Sequence, residues 1–235
     1  MIRIEHLTVR FGGVRPLDDL SADLTAPIAG LIGPNGAGKT TLLNVLSGFV
    51  RPVSGEIALD GARLTHLPPL RRVALGLRRT FQQELVADEL TLRENVQAGA
   101  DHLAADRAAG RSEVDRALGF VGLAAEAGRR GASLNLFERR MVEIARTLIG
   151  APKAVLLDEP GAGLNEAETE RLRAVLSAIP AEFGAQLVLV DHDAELIAAL
   201  CEETLVLDFG KRLALGPTRA ALDDPAVRRA YLGGA

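Results

Sequence analysis

A glycine-rich segment near the start of the chain has the spacing of a phosphate-binding loop, G-x-x-x-x-G-K-[ST]. Its residues are Gly33, Pro34, Asn35, Gly36, Ala37, Gly38, Lys39, Thr40 and Thr41. Glycines let a backbone curl so that its N–H groups point at phosphate oxygens, and the start of a helix adds partial positive charge. A chance glycine-rich turn is disfavoured because an apolar run precedes the segment and a helical pattern follows it. The segment therefore predicts a site for the phosphate chain of a nucleotide.

Two side chains at the end of this loop suit different parts of a nucleotide complex. Lys39 is expected to reach the β- and γ-phosphates as a cation. Thr40 offers a hydroxyl oxygen, the hard type of ligand that Mg²⁺ prefers. The loop therefore predicts a nucleoside triphosphate bound together with magnesium.

A second apolar run, from Ala154 to Leu157, ends in two adjacent carboxylates, Asp158 and Glu159, and then Pro160. We expect Asp158 to hold the Mg²⁺ shell and Glu159 to act as a base toward an attacking water. An acidic pair at a helix start is common on surfaces, but here it follows a buried strand in a chain with a phosphate loop. The chain has no Asn-Lys-x-Asp motif for reading guanine, which argues against a GTPase.

The segments around these residues alternate between strand and helix patterns, which predicts an α/β domain. We expect a helix from Lys39 that stops near Gly48, and further helices over 166–178, 193–201 and two short segments at the end of the chain. Strands are predicted over residues 2–9, 17–24, 28–32, 55–59, 154–157, 186–190 and 204–208.

The middle of the chain, residues 84–150, is Ala/Arg-rich and predicted as a helical insertion within a single domain spanning 1–235. Thr91 and Glu94 form a capping box, and a looser one is predicted to start at Ser112. The segment from Asp101 to Gly110 has few large apolar residues and is predicted as a loop.

Composition limits the classes of protein that the chain can represent. Its 235 residues, with a net charge of −4 and 3% aromatic residues, give no reason to expect nucleic-acid binding. No apolar run approaches the roughly 18 residues of a membrane helix, and the first residues lack a signal-peptide pattern, so we expect a cytoplasmic protein. The single cysteine, Cys201, excludes an internal disulfide and is expected to fill core space.

Together these motifs resemble the ATP-binding cassette family, the motor subunits of ABC transporters, over essentially the whole chain. The resemblance implies a P-loop NTPase core with an antiparallel β subdomain and a helical insertion, using ATP and Mg²⁺. It also implies roles for three more residues. Gln82 would contact Mg²⁺ and the attacking water, His192 would contact the γ-phosphate, and Phe11 would stack on adenine.

Three segments are similar to one branch of this family, which serves importers of branched-chain amino acids and of related amides or urea. They are Arg79–Gln82, Glu159–Asn165 and Ala230–Gly233. The resemblance implies two permease subunits in the membrane, a second ATPase subunit in a homo- or heterodimer, and, indirectly, a solute-binding protein. It places the chain at the cytoplasmic face of the membrane as a peripheral subunit.

One motif departs from the family pattern. The signature Leu-Ser-Gly-Gly-Gln, which would face the ATP held by the other subunit, corresponds here to Leu134-Asn135-Leu136-Phe137-Glu138. Asn135 with Glu138 also reads as an ordinary helix cap. Phe137 replaces a glycine that lets backbone approach phosphate, so its ring either interferes there or turns away.

Two other functions remain open at this point. The first is a soluble ABC ATPase acting on DNA or ribosomes, although such proteins usually have a long coiled-coil insertion or two cassettes. The second is a nucleotide-gated binding subunit with weak hydrolysis, which the presence of Glu159 and His192 disfavours.

Overall fold

A computed structural model describes residues 1–82, 85–101, 103 and 107–232. Within these ranges no helix is both long and apolar enough to cross a membrane. The strands of the described residues are β1 (Ile2–Phe11), β2 (Val14–Leu24), β3 (Ile28–Ile32), β4 (Ser54–Leu59), β5 (Ala62–Arg63), β6 (Leu77–Arg79), β7 (Ala154–Asp158), β8 (Gln186–Val190), β9 (Glu203–Asp208) and β10 (Lys211–Pro217). Their helices are α1 (Lys39–Ser47), α2 (Pro69–Ala74), α3 (Leu92–Ala100), α4 (Arg107–Phe120), α5 (Leu136–Thr147), α6 (Glu166–Phe183), α7 (Ala194–Leu200), α8 (Thr218–Asp223) and α9 (Pro225–Leu232).

The strands form a small sheet and a large sheet. The small sheet has the order β2-β1-β4-β5 and its strand pairs are antiparallel. The large sheet has the order β10-β9-β3-β8-β7-β6, and β10 runs antiparallel to β9 while the other neighbours are parallel. The predicted α/β fold with an antiparallel β subdomain is confirmed.

Strand β3 shows why the large sheet forms the centre of the molecule. All of its residues are buried, because it lies between β8 and β9 and both of its faces are covered. Ala29 and Leu31 belong to the apolar cluster shared with α1 and the small sheet. Ile28 and Ile32 belong to the cluster on the opposite side, shared with the helices. Strand periodicity thus divides one apolar run between two cores.

The parallel strands bring the candidate functional segments to one edge of the large sheet. Gly33 follows β3, Asp191 follows β8, Asp158 ends β7 and Thr80 follows β6. Because β3, β8, β7 and β6 are consecutive neighbours, these residues lie at adjacent positions along the carboxyl edge. Ligands of open parallel sheets bind at this edge.

Three helices of the described residues, α3, α4 and α5, lie between β6 and β7 and pack on one another. Val96, Leu118 and Met141, one from each helix, are buried in a common cluster. The capping box predicted at Thr91 is present, since Thr91 Oγ1 accepts from Glu94 N at 3.2 Å and the Glu94 carboxylate accepts from Thr91 N at 2.8 Å. These helices therefore pack as one unit around shared apolar contacts.

The predicted cap at Ser112 is wrong, because α4 already begins at Arg107 and Ser112 lies inside it. The predicted loop over 101–110 is therefore also wrong at its end, while residues 102 and 104–106 lie outside the described residues. Gly110 is buried and lies four residues before the buried Val114 on one helical face. Gly110 has no side chain to mark that face in the sequence, so the apolar pattern of the sequence starts one turn after the helix does.

Sequence periodicity also missed the short elements α2, β5, β6 and β10, and it ended α6 five residues early, at 178 instead of Phe183. Helix α6 continues through Pro180, and the ring of Phe183 packs edge-on against Phe120 at 5.0 Å between ring centroids. Tertiary packing therefore holds a helix end that local sequence disfavours.

Helix α2 contributes a buried arginine that holds the end of α1. Arg72 is only 1% exposed. Its guanidinium donates to the carbonyl oxygens of Val45 and Leu46 at 2.5 and 2.8 Å, and to those of Leu67 and Thr65 at 2.8 and 3.2 Å. Burial lowers the pKa of Arg72. The side chain supplies donors to helix-end carbonyls that the helix itself leaves unpaired.

We expect Arg72→Met to lower the free energy of unfolding by about 2–4 kcal/mol, because several buried carbonyls lose their donor. Urea unfolding followed by circular dichroism measures this. Arg71→Met, at the exposed neighbouring position, should change stability by less than about 0.5 kcal/mol. Equal losses for the two variants would show that the four carbonyl contacts add no stability.

Candidate nucleotide-binding site

The glycine-rich loop predicted to bind phosphate follows β3 and is closely enclosed by its surroundings. A Cβ atom on Gly33 would lie 2.3 Å from the Leu207 carbonyl oxygen, and one on Gly38 would lie 2.3 Å from that of Pro16. Both glycines also have positive φ angles, 155° and 110°. Side chains are therefore excluded at both positions by space and by backbone conformation.

Lys39 lies at the end of this loop and folds back over it. Its Nζ donates to the carbonyl oxygens of Gly33 at 2.5 Å and Pro34 at 3.1 Å. Burial lowers the pKa of Lys39, and the charges of Glu159 and Asp158 oppose that effect. The ammonium group is thus held above the loop, close enough to both carboxylates for their charges to act on it.

Helix α1 begins without the side-chain cap that four other helices of the described chain have. Thr91, Asn135, Asn165 and Asp193 cap α3, α5, α6 and α7, each accepting from a backbone N–H of the first turn. Helix α1 starts after Gly38, with no capping side chain and no acidic residue in its first turn. Its N-terminus therefore keeps free N–H donors and positive potential for an anion.

Asp158 lies at the end of β7 and is 2% exposed. Its Oδ2 accepts from Arg79 Nη2 at 3.1 Å. Its Oδ1 is buried and has no hydrogen-bond partner among the described residues. An unpartnered buried carboxylate oxygen is costly unless another ligand satisfies it, and a hard cation suits it.

The next residue, Glu159, has an unusual backbone conformation. Its φ is +51°, in the left-handed region that residues other than glycine rarely adopt. Its N–H donates to the Val190 carbonyl at 2.8 Å, which fixes this turn to the end of β8. Strained backbone of this kind clusters at functional sites. The turn redirects the chain, and the half-buried Glu159 lies beside the buried Asp158.

His192 follows β8 with its side chain 69% exposed. Its Nδ1 is 3.7 Å from Oδ1 of the buried Asp191, which also accepts from Asp193 N at 3.0 Å. Asp191 Oδ2 is buried without a hydrogen-bond partner in the described part of the chain. Sequence reasoning gave Asp191 no role, because no spacing rule marks it, and its burial at the end of β8 is visible only in the structure.

Gln82 and Phe11 are both accessible in this structure. Gln82 is exposed two residues after Thr80, whose N–H donates to Leu156 O at 2.9 Å and so continues the edge pairing with β7. Phe11 ends β1 with 53% of its surface exposed. Their roles toward water, metal and adenine stay predictions.

The segment matching the family signature begins α5 as a capped helix. Asn135 Oδ1 accepts from Glu138 N at 2.8 Å, and the Glu138 carboxylate accepts from Asn135 N at 2.9 Å. Arg129 pairs with Glu138 at 2.5 Å and lowers the pKa of that carboxyl. The acid at this helix start is therefore neutralised from a neighbouring loop.

Phe137 turns inward. Its ring is 3% exposed and lies in the helical core cluster. The Arg171 guanidinium covers it, with Cζ 4.4 Å from the ring centroid. Of the two alternatives for this residue, the structure shows the ring turned away from the helix start.

A groove of about 330 Å³ opens beside Gln82, between β6 and the helices that follow it. Leu85, in its wall, is bound through its backbone, because its N–H donates to Glu143 Oε1 at 2.9 Å and its carbonyl accepts from Arg146 at 3.0 Å. Burial raises the pKa of Glu143. Apolar side chains dominate the lining, namely Leu70, Val73, Phe81, Leu85, Ala98 and Leu103.

The phosphate loop, the carboxylates and the parallel sheet together define a P-loop ATPase. Comparison with known proteins gives the family. The sequence pattern of the ABC transporter family matches residues 17–162. The chain belongs to this family and is an ATP-binding, ATP-hydrolysing cassette, as its resemblance predicted.

Relatives of known function cover nearly the whole chain. The high-affinity branched-chain amino acid transport ATP-binding proteins BraF of Pseudomonas aeruginosa and LivG of Escherichia coli are each 34% identical over 99% of this chain and 98% of their own length. An ATP-binding cassette of an ABC transporter, solved in its ADP conformation, superimposes with a TM-score of 0.88 at 25% identity, covering 100% of this chain and 99% of that one.

We expect Lys39→Ala to weaken ATP binding roughly tenfold or more, because a charge-assisted contact to phosphate is lost. Equilibrium titration with a fluorescent ATP analogue measures this. Lys153→Ala is the matched control, since it removes the same charge from an exposed residue at the opposite end of β7. Unchanged affinity in Lys39→Ala would remove the phosphate-loop assignment.

Proposed function

We propose that this chain is the ATP-hydrolysing motor subunit of an ABC importer for branched-chain amino acids or related small amides. The observation that carries the hydrolytic part is the carboxyl edge of the large sheet, where Lys39, Asp158 and Glu159 converge. The importer type is supported by the relatives BraF and LivG, whose lengths match this chain almost completely.

The residues at this edge fit Mg²⁺. Asp158 Oδ1 is a buried carboxylate oxygen without a hydrogen-bond partner in the described part of the chain, and the exposed Thr40 offers a hydroxyl on the first turn of α1. Gln82 is the third predicted Mg²⁺ ligand. It follows β6, the strand that pairs with β7. Bound there, Mg²⁺ would neutralise charge that develops on the β- and γ-phosphate oxygens.

Each candidate residue of the site then has a distinct role in ATP binding or hydrolysis. The free N–H groups of α1 and the Lys39 ammonium bind the phosphates. Glu159 is the base that takes a proton from the attacking water. His192, exposed at the end of β8, contacts the γ-phosphate, and Phe11 stacks on adenine.

A second ATPase subunit completes each site in this proposal. The start of α5, with Asn135, Phe137 and Glu138, would face the ATP of that subunit. Because the Phe137 ring is packed inward and Arg129 neutralises Glu138, neither side chain bars an anion from this helix start. The cap takes the N–H groups of Asn135 and Glu138, so those of Leu136 and Phe137, at the positions of the family's glycines, would approach the phosphate.

The groove beside Gln82 is the docking site that we propose for the permease subunits. Leu70 and Leu85 are 71% and 50% exposed in or near its wall, an unfavourable arrangement unless a partner covers them. Residues 84–150 would form the helical subdomain, which supplies Leu85, Ala98 and Leu103 to the wall of this groove. The chain would therefore be peripheral at the cytoplasmic face of the membrane, and a solute-binding protein would act on it only through the permease.

We expect Glu159→Gln to keep ATP binding and to slow hydrolysis by about 10²–10⁴-fold, the usual contribution of a general base. Phosphate release by the complex reconstituted with its membrane subunits measures the rate. Glu182→Gln removes an equivalent charge at an exposed site on α6 and should leave turnover unchanged. Wild-type turnover in Glu159→Gln contradicts the assignment of the base.

We expect Leu70→Glu to reduce co-purification of the chain with its permease subunits, because a charge would enter the apolar groove. Phe209→Glu is the control, since Phe209 is 84% exposed in the β9–β10 turn, at the opposite edge of the large sheet from β6. Both variants should bind ATP normally. If Leu70→Glu still assembles fully, the groove is not the docking site.

A further inference from the structure

Arg79, the last residue of β6, connects the candidate metal carboxylate to the phosphate-binding helix. Its Nη2 donates to Asp158 Oδ2 at 3.1 Å. Its Nη1 donates to Asn44 Oδ1 at 2.7 Å and to Ser47 Oγ at 3.3 Å, both on α1. The side chain is 6% exposed. A single planar group therefore bridges β7 and α1 in the interior.

Because of this contact, the two carboxylate oxygens of Asp158 have different surroundings. Oδ2 is taken by Arg79, whereas Oδ1 is buried without a partner in the described chain. The ion pair with a buried guanidinium restricts rotation of the carboxylate, so the free oxygen keeps a preferred direction. Metal affinity depends on this kind of support from groups that do not touch the metal.

At its other end, Arg79 contacts the face of α1 that carries Thr40, the second candidate metal ligand. Asn44 lies four residues after Thr40, so the two side chains share one face of the helix. By holding Asn44 and Asp158 together, Arg79 fixes the distance between the Thr40 turn and Asp158. Mg²⁺ requires near-ideal octahedral geometry at about 2.0–2.1 Å and tolerates little movement between its ligands.

The Arg79 guanidinium is itself held in place. Its Cζ lies 4.9 Å from the centroid of the Phe81 ring, and that ring meets Phe49 edge-on at 5.7 Å. The neighbouring Arg78 is also buried, but among the described residues its guanidinium donates only to backbone carbonyls, those of Val73, Leu77, Ile149 and Gly150. The same strand thus carries one arginine that binds backbone and one that contacts the candidate metal site.

We propose that Arg79 is a positioning residue for the metal carboxylate, which fixes Asp158 and α1 so that Asp158 Oδ1 and Thr40 face one divalent cation. This inference rests on the proposed function of the site. It adds a residue that touches neither nucleotide nor metal and acts through Asp158.

The test uses Mn²⁺ as the probe, because its binding to the ATP complex of the full chain can be followed by electron paramagnetic resonance. ATP affinity in the presence of EDTA is measured on the same samples and reports an intact phosphate loop. Arg79→Lys keeps the charge, but a single ammonium group lacks the two separate guanidinium nitrogens that contact Asn44 and Asp158. Arg79→Met removes the charge as well. Arg78→Lys is the matched control for a buried arginine on β6.

We expect both Arg79 variants to weaken Mn²⁺ binding about tenfold while ATP affinity in EDTA stays near wild type. Arg78→Lys should lower the melting temperature without changing Mn²⁺ affinity. If Arg79→Lys binds Mn²⁺ like wild type and Arg79→Met binds it more tightly, Arg79 only repels the cation by its charge, and the proposal is overturned. Unchanged Mn²⁺ affinity in both Arg79 variants, with lowered melting temperatures, overturns it in favour of a structural role.

Failure of the proposed function gives a different result. In that case the wild-type chain binds no Mn²⁺ in the presence of ATP, whatever residue stands at position 79. Should Arg79→Met fail to fold, Arg79→Lys with its EDTA control still decides the question, because lysine keeps the buried charge paired with Asp158.

Discussion

The close approach of the phosphate-binding loop to neighbouring backbone is the constraint on which the rest of the site depends. Gly33 and Gly38 lie against the carbonyl oxygens of Leu207 and Pro16, at distances that admit no Cβ atom. The loop therefore packs between the end of β9 and the start of β2. Gly210 N also donates to the loop, to Ala37 O at 3.0 Å. This packing leaves the first N–H groups of α1 pointing outward, where an anion can satisfy them.

Charge balance is the second requirement at this edge. Burying Asp158 without a cation would be costly, and Arg79 supplies that cation on one side of the carboxylate. The other oxygen remains available, and the Lys39 ammonium lies close enough to respond to the same charge. The arrangement is stable as a protein interior while keeping acceptor capacity for a metal, which a fully satisfied network would not offer.

The start of α5 shows how the same fold tolerates a changed motif. Large side chains replace both glycines of the family pattern, and the structure accommodates Phe137 by packing it into the helical core beneath Arg171. The cap formed by Asn135 and Glu138 keeps the helix start intact. The changed residues alter the space next to the backbone at this helix start. They also add the negative charge of Glu138, which Arg129 offsets.

The local motifs of this protein could be predicted from the sequence alone. The loop from Gly33 to Thr40, the acidic pair after β7 and the capping boxes at Thr91, Asn135 and Asn165 each follow from types and spacings within a few residues. The family could be inferred from them because their chemistry requires those spacings. The start of α4 and strand β10 could not, since Gly110 has no side chain to mark a buried face and β10 is a half-exposed edge strand with weak alternation.

Which distant residues share one environment depends on contacts that form only in the folded protein. Arg72 and Arg129 stand at positions that no local pattern marks, and their partners lie on other elements. Strand order brought β6 next to β7, and that pairing alone made Arg79 a neighbour of Asp158. The physical reason is that burial and pairing of charges depend on contacts between elements far apart in the chain, whereas turns, caps and phosphate loops depend on backbone geometry over a few consecutive residues.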